Sequence, residues 1–338
     1  MAKYIVKRLL QLIPVLFGVS LIVFFLMRVC APDPAAIVLG QHATQESMEA
    51  WRDANGLNDP IVTQYIDFIK GALTGDLGTS YYTKAPVTQE IMSRFPATVE
   101  LAVVAIILAS AFGIAIGVIS AVNKNSIFDN GGMLLSLVGV SIPIFWLGIL
   151  LIILFSGTLH WLPSTGRIDP ALRPDTITGF MIIDSILTGN MDALVDALRH
   201  MVLPAITLSL YSMAIIARMT RSSMLETLNQ DYIRTARAKG VPEKKVNKRH
   251  ALRNAMLPVA TVIGLQLGSL LGGAVLTESV YSWPGIGNYT VQCIMKSDFP
   301  VVQGVVLLIA VIFVLMNLIV DVIYAFLDPR IKYAKKEA

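Results

Sequence analysis

Six long apolar stretches constrain this chain more than any other feature of its sequence. They cover residues 9–29, 97–122, 132–159, 201–217, 254–278 and 301–327. A helix needs roughly 20 residues to cross the hydrocarbon core of a bilayer, and only the fourth stretch is shorter. Continuous apolar runs favour helices over membrane barrel strands, which alternate apolar and polar residues. The sequence therefore predicts an all-α integral membrane protein with six transmembrane helices.

Composition supports this class and excludes an ordinary soluble domain. Hydrophobic residues make up 55% of the 338 residues and charged residues only 15%, whereas about 25% charged is usual for soluble domains. Two cysteines, Cys30 and Cys293, are too few for a disulfide framework. The formal net charge of +4 matters less for its sign than for where the positive charges lie, and no nucleic-acid partner is expected.

The distribution of Lys and Arg predicts the orientation of the helices. Of the 27 basic residues, 18 fall in the 64 residues of segments 1–8, 123–131, 218–253 and 328–338, and 8 fall in the 130 residues of the alternate loops. Cytoplasmic loops carry the excess of positive charge. Both termini are therefore expected in the cytoplasm. The first apolar stretch is too long for a signal-peptide core, so we expect it to remain as a transmembrane helix.

The loop at 30–96 has the pattern of a small folded unit. Gly- and Pro-rich turns at 31–34, 56–60 and 75–80 separate two segments, 46–54 and 61–73, with amphipathic helical spacing. We interpret this loop as an extracytoplasmic cap. The alternative is a packed loop that has no partner.

The loop at 218–253 is the most basic part of the chain, with 10 of the 27 basic residues in 36 positions. Residues 231–239 are predicted to form a helix that Gly240 ends at its C′ position, and Pro242 suits the first turn of a following helix. The prediction is two short cytoplasmic helices joined by a sharp corner. Two roles stay open: docking of a protein partner, or a topology signal that also binds anionic lipid.

Motifs for enzyme chemistry are missing from the sequence. No Gly-Lys dipeptide occurs, so there is no phosphate-binding loop for ATP, and neither H-E-x-x-H nor G-x-S-x-G is present. The four histidines, His42, His160, His200 and His250, are scattered, so no metal site and no catalytic residue is predicted. The polar residues within the apolar stretches are the candidates for a translocation path: Ser136, Ser141, Gln266, Ser269 and Asn317.

Several motifs resemble the peptide and nickel importer branch of the binding-protein-dependent ABC transporter permeases. They read MTRSSMLE at 219–226, DYIRTARAKG at 231–240, HALRNAMLP at 250–258, SIPIFW at 141–146, ESVYSWPG at 278–285 and DFPVVQG at 298–304, with further likeness at 75–80, 94–100 and 328–330. The chain is most similar to the first permease subunit of dipeptide importers. Two motifs depart from the pattern: Arg234-Thr235-Ala236 replaces the Glu-Ala-Ala of the general signature, and Ala31-Pro32-Asp33-Pro34 replaces Pro-Gly-Asp-Pro.

The resemblance implies a type I ABC importer permease fold at the bacterial inner membrane. It divides the chain into a first helix (1–29), the cap (30–96), a transmembrane core (97–328) and a cytoplasmic tail (329–338). The implied partners are a second, similar permease, two ABC ATPases that bind ATP and Mg, an extracytoplasmic substrate-binding protein and membrane lipid, with no cofactor in this chain. The residues expected to couple the chain to the ATPases are Asp231, Arg234, Thr235, Ala236, Arg237, Lys239, Gly240 and His250.

The expected cargo is a dipeptide or short peptide, because the candidate path residues are small and polar. Import of oligopeptides, glutathione or nickel by the same machinery remains open, and His42, His160 and His200 on the outer side are the only support for nickel. An ion-coupled secondary carrier is the alternative of a different class, although the apolar stretches show neither mid-membrane charges nor a clear internal repeat. A membrane receptor or scaffold is a third possibility.

Overall fold

In the computed structural model, which describes residues 2–40 and 43–327, the chain is built almost entirely of helices. The helices of the N-terminal part are α1 (Ala2–Val29), α2 (Pro34–Leu39), α3 (Gln45–Ala54), α4 (Ile61–Thr74) and α5 (Val87–Val122). The central helices are α6 (Ile127–Ser141), α7 (Ile144–Leu151), α8 (Met181–Leu187) and α9 (Met191–Leu228). The remaining helices are α10 (Asp231–Ala238), α11 (Glu243–Lys245), α12 (Leu252–Gly273), α13 (Val275–Val280), α14 (Ile286–Met295) and α15 (Phe299–Leu327).

Short irregular turns of helix complete these elements. A π-helical turn, Ile152–Thr158, continues α7, a second one, Val246–Ala251, joins α11 to α12, and a 3₁₀ turn lies at Pro170–Leu172. Among the described residues, β pairing is limited to an isolated bridge between Thr79 and Pro86. The all-α prediction is confirmed.

The described residues contain four helices that are long and apolar enough to cross a membrane, Val87–Val122, Met191–Leu228, Glu243–Gly272 and Phe299–Val320. The bent pair α6–α7 gives a fifth candidate, and α1 contributes a shorter apolar stretch, Ile13–Val29. The fourth predicted span, 201–217, is only the apolar middle of the 38-residue helix α9. Hydropathy detects the part of a helix that suits lipid, so it misses polar turns at either end.

The predicted third span, 132–159, is not one continuous helix. Its two halves meet at an angle of 101°. Ile142 has extended backbone angles (φ −76°, ψ 127°) and Pro143 begins the second half. A proline disfavours helical angles in the residue before it and has no N–H for the helix ladder, so the chain turns at this position.

Small residues bring the long helices close together. α5 lies along α9, and α12 lies against α15. A Cβ on Gly117 would lie 2.6 Å from the carbonyl oxygen of Ala217, and a Cβ on Gly264 would overlap the Val320 side chain. Glycine at these positions lets the backbones approach, as is common in membrane helix pairs. Gly268 and Gly272 approach Met316 and Ile309 of α15 in the same way.

Candidate cytoplasmic coupling site

Helix α10 lies between the end of α9 and the start of α11. It begins after Gln230, whose extended angles (φ −73°, ψ 150°) break the helical path of α9. Its last residue is Ala238, and Lys239 follows at the C-cap position. The helix predicted for residues 231–239 is therefore present, and it is one residue shorter than expected.

One buried side chain anchors α10 in the apolar interior of the protein. Ile233 is fully buried, and it is the one buried residue of this helix. It packs in a cluster with buried residues from the ends of α5 and α9, the π-helical turn and α12, namely Ala121, Met224, Val246, Ala251 and Ala255. Movement of Ile233 would therefore displace its contacts at the ends of α5, α9 and α12.

Gly240 ends this helix in the predicted way. Its φ is +73°, in the left-handed region. The Gly240 N–H donates to the carbonyl of Arg237 at 2.9 Å, and the Val241 N–H donates to the carbonyl of Ala236 at 3.2 Å. These two bonds form a Schellman motif. No atom lies within 4 Å of a Cβ built on Gly240, so the requirement for glycine comes from the backbone angle alone.

The helix after the corner differs from the prediction. A helix does restart after Pro242, but it is not a short one: α11, the π-helical turn and α12 run on as a single helix from Glu243 to Gly272. The polar residues of 243–253 hide this continuity in the sequence, because no apolar pattern joins them to the span. The corner therefore links α10 directly to a membrane-crossing helix.

The exposed surface around this corner is charged. Arg237 donates to Glu243 across the corner, with Nε to Oε1 at 2.7 Å. Asn254 donates from Nδ2 to the hydroxyl of Tyr232 at 2.8 Å and to the carbonyl of His250 at 3.1 Å. A groove of about 670 Å³ beside the corner is lined by Pro242, Lys244, Lys245, Lys248, Arg249 and Arg253.

The structure brings most of the predicted coupling residues to this one surface. Six of them are exposed, and Ala236 and His250 are partly buried: Asp231, Arg234, Thr235, Arg237, Lys239 and Gly240 form the exposed group. Two residues that hold the surface together were not singled out from the sequence. Ile233 and Tyr232 both lie in the DYIRTARAKG motif, so the motif was the signal that could have revealed them.

The predicted path residues do not form one polar cluster. The hydroxyls of Ser136 and Ser141 bond to carbonyls of their own helix. Gln266 on α12 donates to the hydroxyl of Ser212 on α9 at 3.0 Å. Ser269 is exposed and Asn317 is partly buried. Ser212 is a contact that sequence reasoning missed, because a buried serine on a long apolar helix has no distinguishing pattern.

The histidines show no shared ligand geometry within residues 2–40 and 43–327, where no group of three or more His, Cys, Asp or Glu side chains could hold a metal ion. Nδ1 of His160 lies 2.9 Å from the carbonyl oxygen of Ser156, and Nδ1 of His200 lies 3.0 Å from that of Asp196. His42, which the nickel alternative invokes, lies outside the described residues.

Two ion pairs stabilise the core: one links a loop to a long helix, and the other joins two helices. Arg167 donates to Glu100 of α5 with Nη2 to Oε2 at 2.6 Å. Arg221 of α9 donates to Asp129 of α6 with Nη2 to Oδ2 at 2.8 Å. Both carboxylates are buried, and a buried charge is tolerated only when it is paired. These contacts fix the loop and the helices α5, α6 and α9 in a defined arrangement.

The segment 30–96 joins the transmembrane core at a buried contact that the sequence did not predict. We call Ser80, Tyr81 and Asp298 the cap junction. Ser80 donates from Oγ to Asp298 at 2.5 Å, and the Tyr81 N–H donates to the same carboxylate at 3.1 Å. Burial raises the pKa of Asp298 above its usual range, and it raises the pKa of Tyr81 to about 12.

The altered motif at 31–34 has a clear structural role. Asp33 accepts from the Ala35 N–H at 3.0 Å and so caps α2. Its carboxylate also accepts from Nε of Arg52 on α3 at 3.0 Å. This hydrogen bond from Arg52 lowers the pKa of Asp33. The Asp-Pro pair of the motif therefore fixes α2 and α3 together despite the Ala that precedes it.

Comparison with known proteins agrees with this architecture. The model of the binding-protein-dependent transport system inner membrane component family matches residues 113–333. The model of the N-terminal membrane component of these systems matches residues 1–102.

Three relatives are similar over almost their whole length. The di/tripeptide transport system permease protein DppB of Pseudomonas aeruginosa is 46% identical over 99% of this chain and 100% of its own. The dipeptide transport system permease protein DppB of Escherichia coli is 46% identical, with 99% and 100% covered. The glutathione transport system permease protein GsiC of Escherichia coli is 41% identical, with 98% and 100% covered. The chain therefore belongs to the binding-protein-dependent transport system inner membrane component family, as a multi-pass membrane permease.

Proposed function

We propose that this chain is one of two permease subunits of an ATP-driven importer that moves dipeptides or short peptides into the cell. The observation that carries the proposal is the position of α10: an exposed polar helix whose one buried side chain, Ile233, packs against the ends of three long helices. The chain has no ATP-binding motif, so the energy would enter through partner ATPases that dock on this helix.

The geometry supports a lever mechanism. Docked ATPases would push on the exposed side of α10 when they close. Ile233 would pass this movement to α5, α9 and α12, whose ends share its cluster. The Schellman motif at Gly240 keeps the angle between α10 and the following helix, so the two would move together. The path between these helices would then open alternately to each side of the membrane.

The substrate class rests on the relatives and on the path residues. Two of the compared relatives are named as dipeptide or di/tripeptide permeases, and one is named for glutathione, which is itself a short peptide. Gln266, which is partly exposed, offers a neutral hydrogen-bonding group that suits a peptide backbone and does not select one side chain. Within the described part of the chain, His160 and His200 belong to no group of side chains that could hold a nickel ion.

The proposed assembly has a binding protein on the side of the segment 30–96 and both termini in the cytoplasm. The charge distribution supports this orientation, because α10 and the basic groove then face the ATPases and the cytoplasm. Residues 329–338 would form a cytoplasmic tail.

Reconstitution tests this function directly. The chain, a second permease, the two ATPases and the binding protein are placed in proteoliposomes, and uptake of a radiolabelled dipeptide is measured. We expect uptake that requires ATP and the binding protein, and none from the chain alone under a proton or sodium gradient. Gradient-driven uptake by the chain alone would identify a secondary carrier and contradict the proposal. Competition by unlabelled glutathione and Ni²⁺ separates the alternative substrates.

A further inference from the structure

Helix α4 has an apolar side and a polar side along all of its 14 residues. The polar side carries Thr63, Asp67, Lys70 and Thr74. The apolar side carries Ile61, Val62, Tyr65, Ile66, Phe68, Ile69, Ala72 and Leu73. Although the apolar side is wide, none of these residues is buried. In water alone, this helix would leave a large apolar surface exposed.

Part of the apolar side packs against α1. The ring of Tyr65 lies 5.2 Å from that of Phe24, edge to face, and Phe68 stacks on Phe24 at 6.2 Å. The Tyr65 hydroxyl is hydrogen-bonded to the hydroxyl of Ser20 at 2.9 Å. α4 is therefore fixed beside α1, and not above its end.

These contacts place α4 alongside the last turns of α1, before the C-terminal end of that helix. Phe24 precedes the last residue of α1, Val29, by five positions, which is about 7.5 Å along the helix axis at 1.5 Å per residue. Helices that lie in a membrane interface are buried to a depth of about 5 to 10 Å. The contact at Phe24 falls in that range, and the Tyr65 side chain reaches further along α1 to Ser20.

The rest of the apolar side points away from the protein. Val62 is 69% exposed and Leu73 is 83% exposed, and Ile66 lies between them on the same side. The neighbouring surface of α1 is also apolar and exposed, at Leu21 and Phe25. α4 thus extends an apolar surface that α1 already offers to lipid.

The polar side of the helix gives the opposite boundary. Asp67 and Lys70 are both exposed and lie 3.6 Å apart as an ion pair. Charged groups are costly in hydrocarbon, so this side belongs in the headgroup region or in water. A helix with one side for acyl chains and one for water lies parallel to the membrane surface.

We propose that α4 is an interfacial helix, with Val62, Ile66 and Leu73 inserted among the phospholipid acyl chains of the leaflet at the C-terminal end of α1. The cap segment is then anchored to the membrane surface and does not stand free in water. Arg28 connects this anchor to the core: its Nε donates to Gln64 at 2.7 Å, and its guanidinium lies between Phe24 (4.8 Å) and Phe299 (4.9 Å).

Nitroxide scanning of the assembled transporter in phospholipid nanodiscs tests the proposal. Single cysteines replace Val62, Ile66 or Leu73 in a background with Cys30→Ser and Cys293→Ala, and Asp67→Cys is the matched control on the polar side. Collision rates are measured with oxygen, which concentrates in acyl chains, and with a water-soluble nickel chelate. We expect the ratio of oxygen to nickel collisions to be several-fold higher at the three apolar positions than at Asp67→Cys.

Two outcomes would overturn the proposal. Collision with the nickel chelate at all four positions would show that α4 lies in water. Low collision with both reagents at the three apolar positions would show that a protein covers them, either the second permease or the binding protein. All four sites are exposed, so the substitutions leave the packing on α1 intact, and wild-type uptake of dipeptide by each labelled variant checks this.

Discussion

Helix α10 and the cap junction are both places where a short stretch of chain is attached to long helices, but the contacts that attach them differ in kind. α10 is held mainly by apolar contact, with Ile233 as its one buried side chain, while its charged residues are exposed. The cap junction is held by hydrogen bonds to the buried carboxylate of Asp298. Apolar contact has no direction, whereas hydrogen bonds fix both distance and angle. We therefore expect the attachment of α10 to tolerate movement better than the junction, which holds one geometry.

The largest effect is expected for Ile233→Ala. Truncation of a buried Ile costs about 2–5 kcal/mol because it removes burial and leaves a cavity. α10 would then lose its one buried side chain, while the apolar spans would still insert. We expect transport by the reconstituted complex to be lost at near-normal levels of the protein in the membrane. Ile127→Ala is the control, because it makes the same truncation at an isoleucine that is 82% exposed. Wild-type transport by Ile233→Ala would refute the lever mechanism.

Asp298→Ala should give the next largest effect. The substitution leaves the Tyr81 N–H without an acceptor and removes the acceptor of the Ser80 hydroxyl. The loss of these two contacts to a buried carboxylate should lower the free energy of unfolding by about 2–4 kcal/mol. Thermal unfolding of the purified protein measures the loss. Asp298→Asn keeps an oxygen for the Tyr81 N–H and should lose less than half as much. Equal losses in the two variants would mean that the negative charge, and not the hydrogen bonds, holds the junction.

Much of α10 follows from local sequence. Its start near Asp231, its end before Gly240 and the left-handed glycine all depend on neighbouring residues, so the motif predicts them. The continuity from Glu243 to Gly272 was missed, because polar residues interrupt the apolar pattern although helix formation does not require apolar residues. The bend at Pro143 could have been predicted from the proline alone, but its angle depends on packing.

The cap junction shows what sequence patterns cannot give. Ser80 and Asp298 are 218 positions apart, and neither lies in a periodic pattern that indicates a partner. Both were noted only as parts of motifs that resemble the family. Contacts of this kind depend on how the long helices pack, so they become visible only when the helices are in place. The same is true of Ser212 and Gln266.

Gly240→Val should affect transport more than stability. The left-handed angle costs an L-residue about 1–2 kcal/mol, and a β-branched side chain is the least suited to it. Because the space around Gly240 is open, the cost is confined to the backbone. We expect the angle between α10 and the next helix to change and ATP-driven uptake to fall to background, with normal insertion. Gly240→Asn, which tolerates positive φ better, should retain part of the activity. Equal loss in both variants would point to the side-chain volume instead.

The raised pKa of Asp298 predicts a pH dependence of the junction. The folded state holds the proton of this carboxyl more tightly than the unfolded state, whose carboxyl has a pKa of about 3.9. The free energy of unfolding should therefore decrease as pH rises from that value through the raised pKa, and stay constant above it. Asp298→Asn should remove this decrease when unfolding midpoints are compared across the same pH series. An unchanged profile in the variant would assign the decrease to another group.

Arg237→Glu should give the smallest effect on stability. Arg237 and Glu243 are both largely exposed, and exposed ion pairs contribute about 0–1 kcal/mol. Reversal of the charge should nevertheless weaken binding of the ATPases, and more so at an ionic strength of about 0.1 M than at about 1 M, where charges are screened within about 3 Å. The double variant Arg237→Glu with Glu243→Arg restores the pair in the opposite order. If binding recovers in the double variant, Arg237 acts by holding the corner. If it stays weak and salt-dependent, Arg237 contacts the ATPase directly, whereas wild-type binding by the single variant would exclude both roles.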